Sequence, residues 1–72
     1  MNDETILIND AKLAKLVSMS PSWVRGQRYK RRHGLPHELT VDEVLVGRAP
    51  RYVVDDVRQW LAGLIGPQHA AA

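Results

Sequence analysis

The sequence predicts a mainly α domain in which three short helices carry one small two-stranded β-hairpin. Three observations predict it. Two capped, helix-periodic segments follow one another across the break Ser18-Met19-Ser20. A run of β-formers brackets Gly47-Arg48-Ala49-Pro50, and a second apolar stripe of Val57, Trp60, Leu61 and Leu64 follows it.

The first helix is announced by Asn9, a good N-cap residue, with Asp10 in the first turn where the helix dipole favours an acid. Over Ala11–Val17, Leu13, Ala14, Leu16 and Val17 recur at helical spacing while Lys12 and Lys15 take the other side. Ile6, Leu7 and Ile8 lead in, either as a short strand or as an apolar lead-in packed under the domain. The second helix starts at once, because Ser20 can cap and Pro21 suits the first helical position. It runs from Pro21 to about Arg32, with Gly34 as a left-handed stop and Pro36 preventing continuation. At roughly 100° per residue, Ser20, Val24, Gln27, Arg28 and Arg31 share one side. Ser22, Arg25, Gly26, Tyr29 and His33 lie opposite, with Trp23 and Lys30 on one flank. Val24 is the only strongly apolar residue of the inner side, so burial alone does not account for this helix.

Val41, Val44, Leu45 and Val46, then Tyr52, Val53 and Val54, read as the two strands of a hairpin turning through Gly47 to Pro50. A lone hairpin is marginal in water and must lie against the helices. His37 to Glu43 reads as a loop before the first strand or as an extension of the hairpin. The third helix begins near Asp55-Asp56 and ends at Gly66-Pro67, with Trp60 expected in the core. Residues 67–72, Pro-Gln-His-Ala-Ala-Ala, lack periodicity and read as a disordered tail, leaving 1–66 as the domain.

Composition bounds the function. A chain of 72 residues makes one small domain and buries only about 60% of the surface its unfolded form exposes. Its 44% hydrophobic and 25% charged residues are ordinary globular usage. The absence of cysteine removes disulfides, thiolate zinc sites and a thiol nucleophile, and fits a reducing cytoplasm. No apolar run approaches the roughly 20 residues that span a bilayer, and no membrane partner is expected. The net charge of +2 conceals an asymmetry, for Arg25 to His33 holds five of the ten Lys and Arg residues and no acid. Arg48 and Arg51 form a second cluster. Such a distribution marks either a polyanion-binding face or a solvated helix face, and charge alone does not decide between them.

Two short helices across a tight turn, the second basic on its outside, give a helix-turn-helix pattern. Ala14 supplies the small residue where the helices cross, Met19 is expected to plug inward, and Val24 anchors the second helix. Ser18 stands where a positive φ is often needed and Gly is best suited. The ordered set Leu13-Ala14-Lys15-Leu16-Val17-Ser18-Met19-Ser20-Pro21-Ser22-Trp23-Val24, Gly34-Leu35-Pro36, Val46-Gly47-Arg48, Arg51-Tyr52 and Asp56-Val57-Arg58-Gln59-Trp60-Leu61 resembles a known class. It is similar to the MerR-like winged helix-turn-helix domains of phage and mobile-element excisionases and of small AlpA-type regulators. The stretch His37 to Glu43 departs from that pattern, as does the apolar Val53-Val54 where relatives place a polar cap.

The resemblance implies a second helix in the major groove of double-stranded DNA and a hairpin wing on the neighbouring backbone or minor groove. It implies a DNA-binding architectural factor, an excisionase or recombination directionality factor, acting beside a tyrosine or serine integrase in DNA recombination. It also implies head-to-tail cooperative copies on DNA and a cytoplasmic, nucleoid-associated protein encoded by a bacterium, phage or mobile genetic element. The alternative is a small AlpA- or MerR-like regulator of transcription. Candidate recognition-helix contacts are Ser20, Ser22, Arg25, Gly26, Tyr29 and Lys30, with Arg25 matched by its fork to guanine. The wing contributes Arg48 and Arg51, while Arg28, Arg31 and Arg32 are further phosphate contacts or solvated charge. With about five to seven phosphates neutralised, the salt slope would be roughly −4 to −6. Gly26 implies close approach of DNA or a bend, and Trp23 is either packing or a stacking residue.

No enzyme is expected, and no catalytic residue, metal or cofactor. His33 and His37 have a helical ligand spacing, but Gly34 and Pro36 separate them and no third ligand is near. The acid pairs Asp42-Glu43 and Asp55-Asp56 read as capping and surface charge. Tyr29 and Tyr52 do not make a tyrosine recombinase, whose catalytic domain exceeds this chain.

Overall fold

A computed structural model describes residues 6–66, in the order β1 Leu7–Ile8, α1 Asp10–Leu16, α2 Pro21–Arg32, β2 Glu43–Val46, β3 Ala49–Val53 and α3 Val54–Ile65. The expected disordered tail at 67–72 lies outside the described residues. Three helices pack with a small antiparallel sheet of order β1-β3-β2. The expectation of two strands is corrected to three. Leu7–Ile8 supplies the extra strand, with Leu7 opposite Val53 and Ile8 opposite Tyr52, so β3 becomes central. Among the described residues no helix is long and apolar enough to cross a membrane.

Local chemistry explains the helix ends. Asn9 accepts from the Lys12 N–H at 2.9 Å, and Ser20 accepts from the Trp23 N–H at 3.1 Å. Both helices then stop in the same way. At α2 the Leu35 N–H reaches the Lys30 carbonyl and the Gly34 N–H reaches Arg31, with Gly34 at φ 68°. At α1 the Met19 N–H reaches Ala14 and the Ser18 N–H reaches Lys15, with Ser18 at φ 58°. These are two Schellman caps, and the first uses a residue with a Cβ in left-handed conformation. Ser18→Gly is therefore expected to raise stability by about 0.5–1 kcal/mol, relief of strain outweighing the extra unfolded-chain entropy. A melting temperature that stays level or falls in thermal denaturation would contradict this.

The core comprises Ile8, Leu13, Ala14, Val24, Leu39, Val41, Tyr52, Val54 and Val57, with Val17, Trp23, Trp60 and Leu61 packed at its margin. Three local expectations change. Ala49 and Pro50 belong to β3, so the turn is only Gly47-Arg48, with Gly47 at φ 65°. Pro50 is tolerated because Val46 and Ala49 close the hairpin; by alternation the missing N–H of Pro50 faces away from β2, beyond the end of β1. Val54 begins α3 instead of ending a strand, its N–H bonded to the Ile6 carbonyl at 2.9 Å. Asp55 and Asp56 lie in the first turn without capping it.

Two apolar residues expected inside are less so: Met19 is 45% exposed, and Trp60 is only half-buried. The region His37 to Glu43 is an irregular loop until β2 begins at Glu43, yet it inserts Leu39 and Val41 into the core. Gln27, nearly fully buried, accepts from the Glu38 and Leu39 N–H groups at 2.6 and 2.9 Å. The Trp60 indole donates to the Glu38 carbonyl at 3.1 Å. Replacing Gln27 with Leu removes the acceptor of two backbone donors and is expected to cost about 2 kcal/mol. Urea unfolding measures that loss, and amide exchange at Leu39 should accelerate with it; an unchanged midpoint would contradict the role.

Candidate nucleic-acid interface

The basic run of α2 divides by direction. Arg28, Arg31 and Arg32 reach groups on α1, the loop and the sheet, whereas Arg25 reaches only Ser22 of its own helix. Arg28 donates to both carboxylate oxygens of Asp10, at 2.7 and 3.0 Å, and to the Tyr52 hydroxyl at 3.3 Å. Its side chain is 13% exposed and that of Asp10 19%. The hydrogen bond from Arg28 to Asp10 raises the guanidinium pKa further, and burial pushes the Tyr52 hydroxyl up, so the cluster stays charged on Arg28 and neutral on Tyr52. Arg28, expected among the phosphate contacts, is instead the tie between α1, α2 and β3.

Arg31 donates to the Val41 carbonyl at 2.9 Å and pairs with Asp42; Arg32 pairs with both oxygens of Glu43, at 2.7 and 3.0 Å. These exposed pairs contribute little stability singly. Their geometric effect is larger, because they clamp the start of β2 to the C-terminal end of α2. The turn at Gly47-Arg48 then projects about 14 Å farther along the hairpin. Arg31 and Arg32, also expected as phosphate contacts, are thus largely occupied in holding the hairpin.

The outer side of α2 is not used by the fold. Ser22, Arg25, Gly26, Tyr29 and Lys30 are all exposed. Arg25 has no ion-pair partner among the described residues and donates only to the Ser22 hydroxyl at 3.3 Å, one turn earlier. Tyr29 is 59% exposed and its ring lies 4.2 Å from that of His33. Ser20, by contrast, spends its hydroxyl oxygen on the helix cap. A Cβ built at Gly26 would meet nothing within 4 Å, so the molecule's own packing gives no reason for glycine there. Trp23 is half-buried against the core, which resolves its alternatives in favour of packing.

Arg48 is exposed at the turn, and Arg51, expected beside it, sits within β3 opposite Val44 and donates to the Pro50 carbonyl at 2.8 Å. No family model, curated protein or solved structure matches the chain. The functional reading therefore rests on the residues themselves. Lys12, Lys15, Arg25, Lys30, Arg48 and Arg51 have no carboxylate partner among the described residues, whereas Glu38 and Asp56 are the acids without a cation. Sequence reasoning missed Gln27 and the internal spending of three arginines. A buried Gln at a helical inner position was the available signal for the first.

Proposed function

We propose that this protein is a sequence-specific DNA-binding architectural factor of the excisionase or recombination directionality type, built as a winged helix-turn-helix. α2 is the recognition helix and β2–β3 the wing. The observation that carries the reading is the outer face of α2, where an uncompensated Arg25, steadied by Ser22, stands beside a glycine that no internal contact requires. A helix enters a major groove about 12 Å wide, and glycine lets its backbone approach the base edges closely. Arg25 reads guanine through its fork, Tyr29 and Ser22 donate to nearby bases or phosphates, and Lys30 neutralises backbone charge. Arg48 and Arg51 place the wing on phosphate or in a narrow minor groove.

With Arg28, Arg31 and Arg32 engaged internally, about four cations remain for phosphates. The logarithmic salt slope is then roughly −3 to −4, shallower than the full basic run would give. Affinity of a single head is modest, so neighbouring copies on DNA support one another beside a tyrosine or serine integrase. Titration of fluorescent duplex DNA from low to physiological salt tests the reading. Absence of duplex binding at low salt would overturn it. An excision assay with a cognate integrase and attachment site separates a directionality factor from a transcriptional regulator of the same build: excision that proceeds equally without the protein selects the regulator.

Gly26→Ala is a second test with opposed readouts. Thermal stability is expected to rise by about 0.5–1 kcal/mol, because the added methyl favours helix and meets nothing in the protein. DNA affinity is expected to fall, because the methyl occupies the space into which the bases approach. Unchanged or tighter binding would show that Gly26 does not face DNA.

A further inference from the structure

Val17, Met19, Trp23, Trp60, Leu61 and Leu64 line a groove of about 280 Å³ between the α1–α2 turn and α3. The stripe of α3 that should complete the core is left half-finished, with Leu64 64% exposed, and Met19 of the α1–α2 turn is 45% exposed beside it. Of the two acids without a cationic partner among the described residues, Glu38 lines the groove and Asp56 lines a second hollow that shares Trp60 with it. Trp23 and Arg25 are about 200° apart around α2, so the groove lies across that helix from Arg25, with Lys30 on the flank between them. Gly63 is α3's counterpart of Gly26, an interior glycine whose Cβ would meet nothing within 4 Å. It lies about 60° from Trp60 on the same edge as Asp56.

We propose that this groove is the docking site for an amphipathic helix of a protein partner, with apolar anchors at helical spacing and Lys or Arg along its flank. A helix is selected over a strand because the groove is lined from α2, α3, the α1–α2 turn and the loop at Glu38, with no strand at its edge to extend; a helix satisfies its own backbone while burying an apolar face. Basic flanking residues are selected by the unpaired Glu38 and Asp56. Gly63 admits the partner's backbone close to α3, as its lack of neighbours permits. The flanking segments 1–5 and 67–72 are poorly matched to the site. Residues 1–5 bring Asp3 and Glu4, of the same sign as the rim, and residues 67–72 bring no large apolar side chain.

Trp23 and Trp60 are the two tryptophans of the protein, so its intrinsic fluorescence reports on the groove directly. The probe is a tryptophan-free peptide of about four helical turns, made of Leu on one face and Lys on the other. It is titrated into the whole protein at low micromolar concentration. A saturable blue shift with one-to-one stoichiometry is expected. The same peptide with Glu in place of Lys should bind about tenfold or more weakly. Leu64→Gln should weaken the Lys peptide by a similar factor while leaving the circular dichroism and melting temperature of the free protein in place, since Leu64 is mostly exposed. Glu38→Gln with Asp56→Asn should flatten the difference between the two peptides. No saturable shift, or equal binding of both peptides to the parent protein, would overturn the proposal. A shift that appears on concentrating the protein alone, with dimers in sedimentation, would assign the groove to a second copy and overturn it as well.

Discussion

Arg28→Met is expected to lower the unfolding free energy by about 3 kcal/mol. The substitution keeps the apolar stem and removes the charge. Asp10, only 19% exposed, is left with its carboxylate largely out of water and without a cation, and the Tyr52 hydroxyl loses its donor. Breaking a well-buried pair from one side costs about 3–5 kcal/mol, and the residual exposure places this one at the lower end. In a domain of this size each kcal/mol is worth about 4–8 °C of melting temperature, so a fall of 12 °C or more should be read by calorimetry. Asp10→Asn in the Arg28→Met background should recover part of the loss, because the unpaired charge is gone. Were Arg28 a phosphate contact instead, the melting temperature would hold and only DNA affinity and its salt slope would fall.

Arg25→Ala is expected to leave the fold intact and to cost DNA recognition about 2 kcal/mol, roughly thirtyfold, at sites chosen by in vitro selection. Arg25 is exposed and bonded only to Ser22, so its loss uncovers no buried group. Binding to random duplex should change far less than binding to the selected site. Arg48→Ala makes the contrasting case. It should weaken selected and random duplex alike and reduce the salt slope by about 1, as removal of a phosphate contact does. Equal effects of both variants on both duplexes would contradict the division between a reading helix and a positioning hairpin.

The two variants also show where one basic run holds two kinds of arginine. Along the chain Arg25, Arg28, Arg31 and Arg32 look alike. At about 100° per residue Arg25 stands about 60° from Arg28, at the edge of the outer face of α2, so periodicity separates the two only in part. Which of them meets an acid depends on residues 11 to 18 positions away, Glu43, Asp42 and Asp10, which approach only when the loop and sheet have packed. The same limit applies to Trp60. Its place in an apolar stripe is visible in the sequence, but whether the stripe is covered depends on how much surface the other helices present.

Local features were legible because their causes lie within a few residues. Asn9 and Ser20 as caps, Pro21 as a helix start, Gly34 as a stop, Ser18 in a position that prefers glycine, and Gly47 in a tight turn all follow from backbone geometry and short-range hydrogen bonds. The sequence by itself therefore determined three helices, a hairpin and an exposed basic helix face. Only the tertiary structure decided that Leu7–Ile8 joins β3 as a third strand, that Gln27 holds the loop at Glu38 and Leu39, and that three arginines are spent inside the molecule. The physical reason is that strand pairing, buried hydrogen bonds and ion pairs are choices among distant partners, settled by which groups the collapsed chain brings within reach.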